Sequence, residues 1–176
     1  LIAIWNKNKY TASYDLDGGK VSGELKKEFY YDSESYKLLV PVKEGYTFNE
    51  WIDVYSHEAV TEIKKGTLEN KSFKATWKPN SYKISYLFNA KDATLSATTD
   101  KERVFDEKII LPKPERSGYN FIGWYDNKKC TGNAYTSDTL AKVAKDITLY
   151  AKWSPISYEI TYDLGFGKDK AIMPQH

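Results

Sequence analysis

Three stretches of the chain alternate apolar and polar residues in the same way. Tyr10, Ala12, Tyr14 and Leu16 are spaced by Thr11, Ser13 and Asp15, and the pattern returns in Tyr82, Ile84, Tyr86, Phe88 and in Tyr158, Ile160, Tyr162, Leu164. A period of two is that of a strand with one buried face. A second alternating set comprises Phe73, Ala75, Trp77 and Leu149, Ala151, Trp153, with Leu1, Ala3 and Trp5 at the start of the chain. In each, a small Ala two residues before the Trp shares its face and leaves room for the ring. These sets predict the first and last strands of a repeated unit. Trp5, Trp77 and Trp153 lie 72 and 76 residues apart, and a Tyr follows each by five positions.

A third marker sits inside each unit: Gly45-Tyr46-Thr47-Phe48-Asn49-Glu50-Trp51 and Gly118-Tyr119-Asn120-Phe121-Ile122-Gly123-Trp124. Three motifs in fixed order predict two full repeats. The expected boundaries are 1–9 for the last strand of a preceding repeat, 10–79 for module 1, 80–155 for module 2, and 156–176 for the first strand of a truncated following repeat. On this reading the chain is a piece of a longer array. Asp17-Gly18-Gly19 predicts a tight reversal into a second strand at about Leu25 to Tyr31, whereas Asn89-Ala90-Lys91-Asp92 implies a different turn in the second unit. Trp51 follows Phe48 by three rather than two, so a bulge or bend is needed to bring the indole inward, and Gly123 offers one. Pro41, Pro112 and Pro114 make the approach to the Gly-Tyr motif extended. Ser137–Ala144, with an N-cap candidate and apolar residues at 140, 143 and 144, predicts a short helix. The connectors Lys78-Pro79-Asn80-Ser81 and Ser154-Pro155-Ile156-Ser157 are four residues long, too short for flexible tethers, and predict semi-rigid alignment of neighbouring repeats.

Composition narrows the function classes. With 26 basic and 24 acidic residues, a net charge of +2 and no long single-sign runs, nothing points to nucleic acid or an anionic membrane as a partner. The apolar runs are too short for membrane insertion. Cys130 is the one cysteine and His57 and His176 the two histidines, so neither an internal disulfide nor a structural zinc site is expected. His57, in Tyr55-Ser56-His57-Glu58, has no counterpart near Cys130 and reads as a surface residue; Cys130 has no His in its unit to activate it. Asp15, Asp17 and Gly18 resemble the start of a calcium loop, but no Glu follows at its twelfth position. No catalytic, cofactor-binding or metal residue is therefore assigned, and the chain reads as non-enzymatic with no cofactor.

The aromatic content is the unusual feature: 15 Tyr, 7 Phe and 5 Trp, 15% of the chain. Trp51, Trp77, Trp124 and Trp153 recur at equivalent places, as core residues of a repeated fold do. Phe29, Tyr30, Tyr31 and Tyr36 read as rings that do not recur, and strand alternation prevents Phe29, Tyr30 and Tyr31 from all being buried. Tyr30, Tyr31 and Tyr36 are accordingly the candidate partner-binding residues.

The Tyr-x-x-x-Tyr-Asp-x-Asp-Gly-Gly run at 10–19, the Gly-Tyr-x-Phe-x-Gly-Trp-Tyr run at 118–125 and Asp-Ile-Thr-Leu-Tyr-Ala-Lys-Trp at 146–153 resemble the internalin B-repeat family, also called the Listeria–Bacteroides repeat. The match is looser in the first unit, where Glu50 replaces a Gly and Asn70-Lys71-Ser72-Phe73 the Asp-Ile-Thr-Leu run. The resemblance implies a β-rich α+β fold of small tandem β-grasp-like modules. It also implies secreted or wall-attached bacterial surface proteins in which such repeats act as stalks or, in some cases, binding modules. Expected partners are neighbouring repeats of the same chain. A host protein or glycan is the partner in an alternative adhesin reading, and an accessory domain of a large secreted enzyme is a further alternative.

Overall fold

The structure is a computed structural model that describes residues 5–96, 99 and 101–162, and the backbone of 171–173. Residues 1–4 of the predicted opening strand, Leu164 and His176 lie outside the described residues. In chain order the elements are β1 (Lys9–Asp15), β2 (Glu28–Tyr30), β3 (Tyr36–Lys37), β4 (Tyr46–Asp53), β5 (Ala59–Val60), β6 (Glu62–Ile63), β7 (Lys71–Pro79) and β8 (Ser81–Leu87). There follow β9 (Glu102–Val104), β10 (Tyr119–Tyr125), α1 (Ser137–Ala141), β11 (Ile147–Pro155), β12 (Ile160–Tyr162) and β13 (Ala171–Met173). The protein is β-rich, with one helical turn among the described residues. The chain forms two units. The first gathers the residues through Tyr82 together with Val104–Glu107 and Lys142–Lys145; the second holds Lys83–Arg103, Lys108–Ala141 and the chain from Asp146 onward.

Unit 1 is built on a five-stranded mixed sheet in the order β2-β1-β7-β4-β5. The closing strand β7 is central: it runs parallel to β1, with Tyr14 opposite Phe73, and antiparallel to β4, with Trp51 opposite Ala75. Parallel pairing of the first and last strands sends the intervening chain over one face of the sheet. There Leu38 and Ile63 join Ala12, Phe29, Trp51, Phe73 and Ala75 in the core. β3 and β6 pair in a separate antiparallel ribbon. The expected bulge is present. Phe48 opposes Trp77 and Trp51 opposes Ala75, so the register slips between them and Trp51 turns inward to 3% exposure. The turn at Asp17-Gly18-Gly19 also forms, with positive φ at Asp17 and Gly18 and Gly19 N–H donating to Leu16 O at 2.8 Å. It does not lead straight into a strand. Lys20 and Val42 exchange two backbone hydrogen bonds of 2.8 Å, which draws the chain away, and β2 begins only at Glu28.

Unit 2 repeats the central arrangement in a four-stranded sheet, β10-β11-β8-β9. β11 is parallel to β8, with Leu149 opposite Tyr86, and antiparallel to β10, whose register slips between Phe121 and Gly123. Gly123 has φ 155°, and a Cβ there would stand 3.0 Å from that of Ala134. The helix is a single turn that buries Leu140 and Ala141 completely or nearly so. Its cap is Thr136 rather than Ser137. Thr139 N–H donates to Thr136 Oγ1 at 3.2 Å and Thr136 N–H to Thr139 Oγ1 at 2.8 Å, while Ser137 Oγ bonds Ile109 O at 2.6 Å. β12 and β13 form an antiparallel ribbon.

The same ladder of rings runs through both units. Trp51 meets Tyr14 and Phe48, and Phe48 meets Trp77, with centroids 5.7 to 5.8 Å apart and planes steeply inclined. Trp124 meets Tyr86 and Phe121, and Phe121 meets Trp153, at 4.9 to 5.6 Å. Such pairs add about 0.5 to 1.5 kcal/mol each beyond the area they bury. Each indole N–H has a backbone acceptor: Leu39 O for Trp51, Pro112 O for Trp124, Leu16 O for Trp77 and Phe88 O for Trp153. The proline-containing approaches thus supply the carbonyls that satisfy the buried tryptophans. Trp5, the counterpart of Trp77 and Trp153, is 87% exposed.

Candidate interaction surfaces

Two of the candidate tyrosines, Tyr30 and Tyr31, lie on and just beyond β2, the edge strand of the unit 1 sheet. Phe29 points into the core, its ring 5.9 Å from that of Tyr10, and alternation turns Tyr30 outward. Tyr30 is 40% and Tyr31 52% exposed. Tyr36, on β3, is half-buried; its hydroxyl donates to Glu24 O at 3.1 Å and the Lys26 ammonium stands 5.7 Å from its ring. The outward rings are therefore Tyr30 and Tyr31, with Tyr36 serving mainly to pin the loop before β2.

One expectation about these rings is corrected by the strand register. Ala12 N–H donates to Lys27 O and Ile84 N–H to Lys101 O, so Lys27-Glu28-Phe29-Tyr30-Tyr31-Asp32 corresponds to Lys101-Glu102-Arg103-Val104-Phe105-Asp106. The turns that follow also match: Ser33 N–H donates to Tyr30 O and Glu107 N–H to Val104 O. Tyr31 recurs as Phe105. Phe29 is replaced by Arg103, also buried at 2% exposure.

Phe105 has a defined seat within unit 1. It is 8% exposed, and a Cβ on Gly45 would fall 2.4 Å from its ring. Gly45 thus answers two demands, a φ of 79° and the close approach of an aromatic face. The Phe105 ring stands edge-on to Tyr46 at 5.3 Å, and Phe105 N–H donates to Asn80 O at 2.9 Å. Asn80 N–H in turn donates to Gly45 O at 2.9 Å. The Tyr46 hydroxyl donates to Asp106 at 2.9 Å, which raises the pKa of the phenol, and Lys142 pairs with the same carboxylate and holds its pKa down.

The other chemistry-bearing residues have structural surroundings. Asp53, 2% exposed, pairs with Lys71 at 2.9 Å and accepts from Tyr55 N–H at 2.9 Å. Burial pushes its carboxyl up, but the lysine and the backbone donor outweigh that and leave it below the ordinary value. The pair belongs to unit 1 alone, since Ile147 stands where Lys71 does and Asp126 accepts from the Tyr135 hydroxyl. His57 is exposed with φ 60°, a turn residue between β4 and β5. Cys130 is buried, its thiol 3.5 Å from Ala151 O and 3.4 Å from the Asn89 amide. Among the described residues no three His, Cys, Asp or Glu side chains converge as a metal site would require, and no helix is long and apolar enough to cross a membrane.

Two units with one ring ladder, one bulge and one central strand pairing define the chain as a pair of β-rich sequence repeats. It belongs to the Listeria-Bacteroides repeat domain family, whose model matches residues 10–76 and 82–152. It is 32% identical over 168 residues to a protein of Evansella cellulosilytica named as a membrane protein, covering 93% of this chain and 24% of the relative. A second Evansella cellulosilytica protein, named as a Gly-rich membrane protein, is 32% identical over 92% of this chain and 18% of its own length. Internalin H of Listeria monocytogenes is 31% identical over 82% of this chain and 25% of its own length. The chain thus spans a quarter or less of the relatives it matches.

Proposed function

We propose that the chain is a non-catalytic segment of a tandem repeat array in a bacterial cell-surface or secreted protein, where β-grasp-like modules serve as a stalk that projects other domains. The observation that carries this reading is the connector. Lys78 and Pro79 close β7, Ser81 opens β8, and Asn80 alone stands between the two strands, its N–H and C=O both hydrogen-bonded. A joint of this kind has no slack residues, which is what a spacer needs. The kinship with internalin H and with proteins named for membranes supports an extracellular, surface-attached location. Small-angle scattering of the chain against a Pro79→Gly, Pro155→Gly variant tests the stalk. Both should fold, and the variant should show a broader distribution of dimensions; identical distributions would refute the spacer role.

A second reading, an adhesin module for a host protein or glycan, is favoured by the exposure of Tyr30 and Tyr31 on an edge strand. Host-cell or glycan-array binding that is lost in a Tyr30→Ala, Tyr31→Ala variant would support it, and absence of binding by the unaltered chain would remove it.

A further inference from the structure

Unit 1 contains one filled seat for an aromatic-Asp dipeptide, and elsewhere the chain carries an unfilled copy of each half. The filled case is Phe105–Asp106 on the Gly45–Tyr46 turn. The unfilled plug is Tyr31–Asp32, which shares the Lys-Glu-x-x-aromatic-Asp motif and the turn after it but leaves its ring 52% exposed. The unfilled seat is the Gly118–Tyr119 turn. Gly118 has φ 75° against 79° at Gly45, and Ile156 N–H donates to Gly118 O at 2.9 Å as Asn80 N–H does to Gly45 O. Tyr119 N–H donates to Arg116 O and Tyr46 N–H to Lys43 O, and the Arg116 guanidinium lies 3.6 Å from the Tyr119 ring where the Lys43 ammonium lies 4.4 Å from that of Tyr46. The difference between the seats is occupancy: a Cβ on Gly45 would strike Phe105, whereas a Cβ on Gly118 meets nothing within 4 Å.

We infer that Tyr31–Asp32 docks on the Gly-Tyr turn of an adjoining repeat on its N-terminal side, and that Gly118–Tyr119 receives the aromatic-Asp turn of an adjoining repeat on its C-terminal side. The partner is thus another copy of this repeat, recognised by a ring laid on a glycine, an edge-to-face contact with the next Tyr, and a phenol-to-carboxylate hydrogen bond. Seating asks that the Asp32 carboxylate, paired here with Lys7, be shared with the phenol as Asp106 is shared between Lys142 and Tyr46, and it asks one change of backbone. Asp106 takes a φ of 68°, and Asp32 does not have a positive φ. Asp tolerates that region better than most residues, so the adjustment is small.

The inference holds whether the array is a stalk or an adhesin, and its test reads side-chain access rather than dimensions or host binding. The chain through Ser157 is joined directly to a second copy beginning at Tyr10, which replaces its counterpart Tyr158 and places the second Tyr31 downstream of the first Gly118–Tyr119. Tyrosine nitration mapped by mass spectrometry is compared in the joined and single chains. Docking predicts that the second-copy Tyr31 and the first-copy Tyr119 each become at least several-fold less reactive on joining. A Tyr31→Ala change in the second copy should restore Tyr119, and Tyr30→Ala should not. Equal reactivity in the two chains, with Tyr46 still protected by Phe105 as an internal control of folding, would overturn the inference. Protection in the single chain that grows with protein concentration would assign the seat to a separate molecule and likewise overturn docking within one array.

Discussion

At the scale of single residues, Tyr14 shows how the core combines burial with polar satisfaction. Its ring lies against Trp51 and Phe73 while its hydroxyl donates to Lys26 O at 2.8 Å, so it braces the chain before β2 from the middle of the sheet. Burial, with a smaller contribution from Tyr36, pushes the phenol pKa from 10.0 up to about 12. A raised folded-state pKa contributes stability that is complete below the unfolded value, near 10, and is lost as pH climbs through the folded value near 12. Over that window the unfolded chain ionises Tyr14 and the folded chain does not. Tyr14→Phe removes the titration and the hydrogen bond together. The variant should be less stable by about 1 kcal/mol near neutral pH. Its deficit should shrink as pH rises from about 10, because only the parent then pays the ionisation penalty. Urea midpoints for both proteins across that range decide the matter, and parallel curves would show that Tyr14 ionises as freely folded as unfolded.

At the scale of elements, helix α1 rests on two threonines. Thr136 and Thr139 each accept from the other's backbone N–H, a reciprocal cap on a helix of one turn that could not persist unaided. Thr136→Ala should cost about 1 kcal/mol in unit 2 and speed amide exchange at Thr139. Ser137→Ala removes only the bond to Ile109 O and should leave that amide protected; the reverse ranking would restore Ser137 as the cap. The helix itself was legible from Leu140 and its spacing, but the cap was not, because Thr136, Ser137 and Asp138 are all good cap residues and only the backbone geometry chooses. The first and last strands and the Trp bulge were legible for a plainer reason: a period of two and a three-residue step are written directly in the side chains. The length of β2 was hidden because the Lys20–Val42 pairing that delays it joins residues far apart in sequence. The recurrence of Tyr31 as Phe105 was hidden by insertions. The offset between repeats is 72 at Tyr10 and Tyr82, 74 at Lys27 and Lys101 and 76 at Trp77 and Trp153, so a fixed spacing steps past the motif.

At the scale of the whole molecule, the sequence repeat and the folded unit do not coincide. Unit 1 includes Val104–Glu107, whose covalent neighbours Arg103 and Lys108 both belong to unit 2. Two independent modules would let Trp124→Ala, which removes a ring 2% exposed and costs about 3 to 5 kcal/mol, unfold unit 2 and leave unit 1 untouched. The discontinuous unit predicts otherwise. Once the chain on both sides of Phe105 is unfolded, holding that ring on Gly45 must be repaid against the entropy of a long open loop. In Trp124→Ala the Phe105 amide should lose the protection it draws from Asn80 O, and Tyr46 should become reactive, while amides of β1 and the Trp51 core keep theirs. Phe105→Ala in the otherwise intact chain should expose Tyr46 in the same way with unit 2 still folded. Hydrogen exchange on the two variants tests this directly. If Phe105 stays protected in Trp124→Ala, the contacts of Phe105 and Asp106 with Gly45, Tyr46 and Asn80 are strong enough to hold without their flanks.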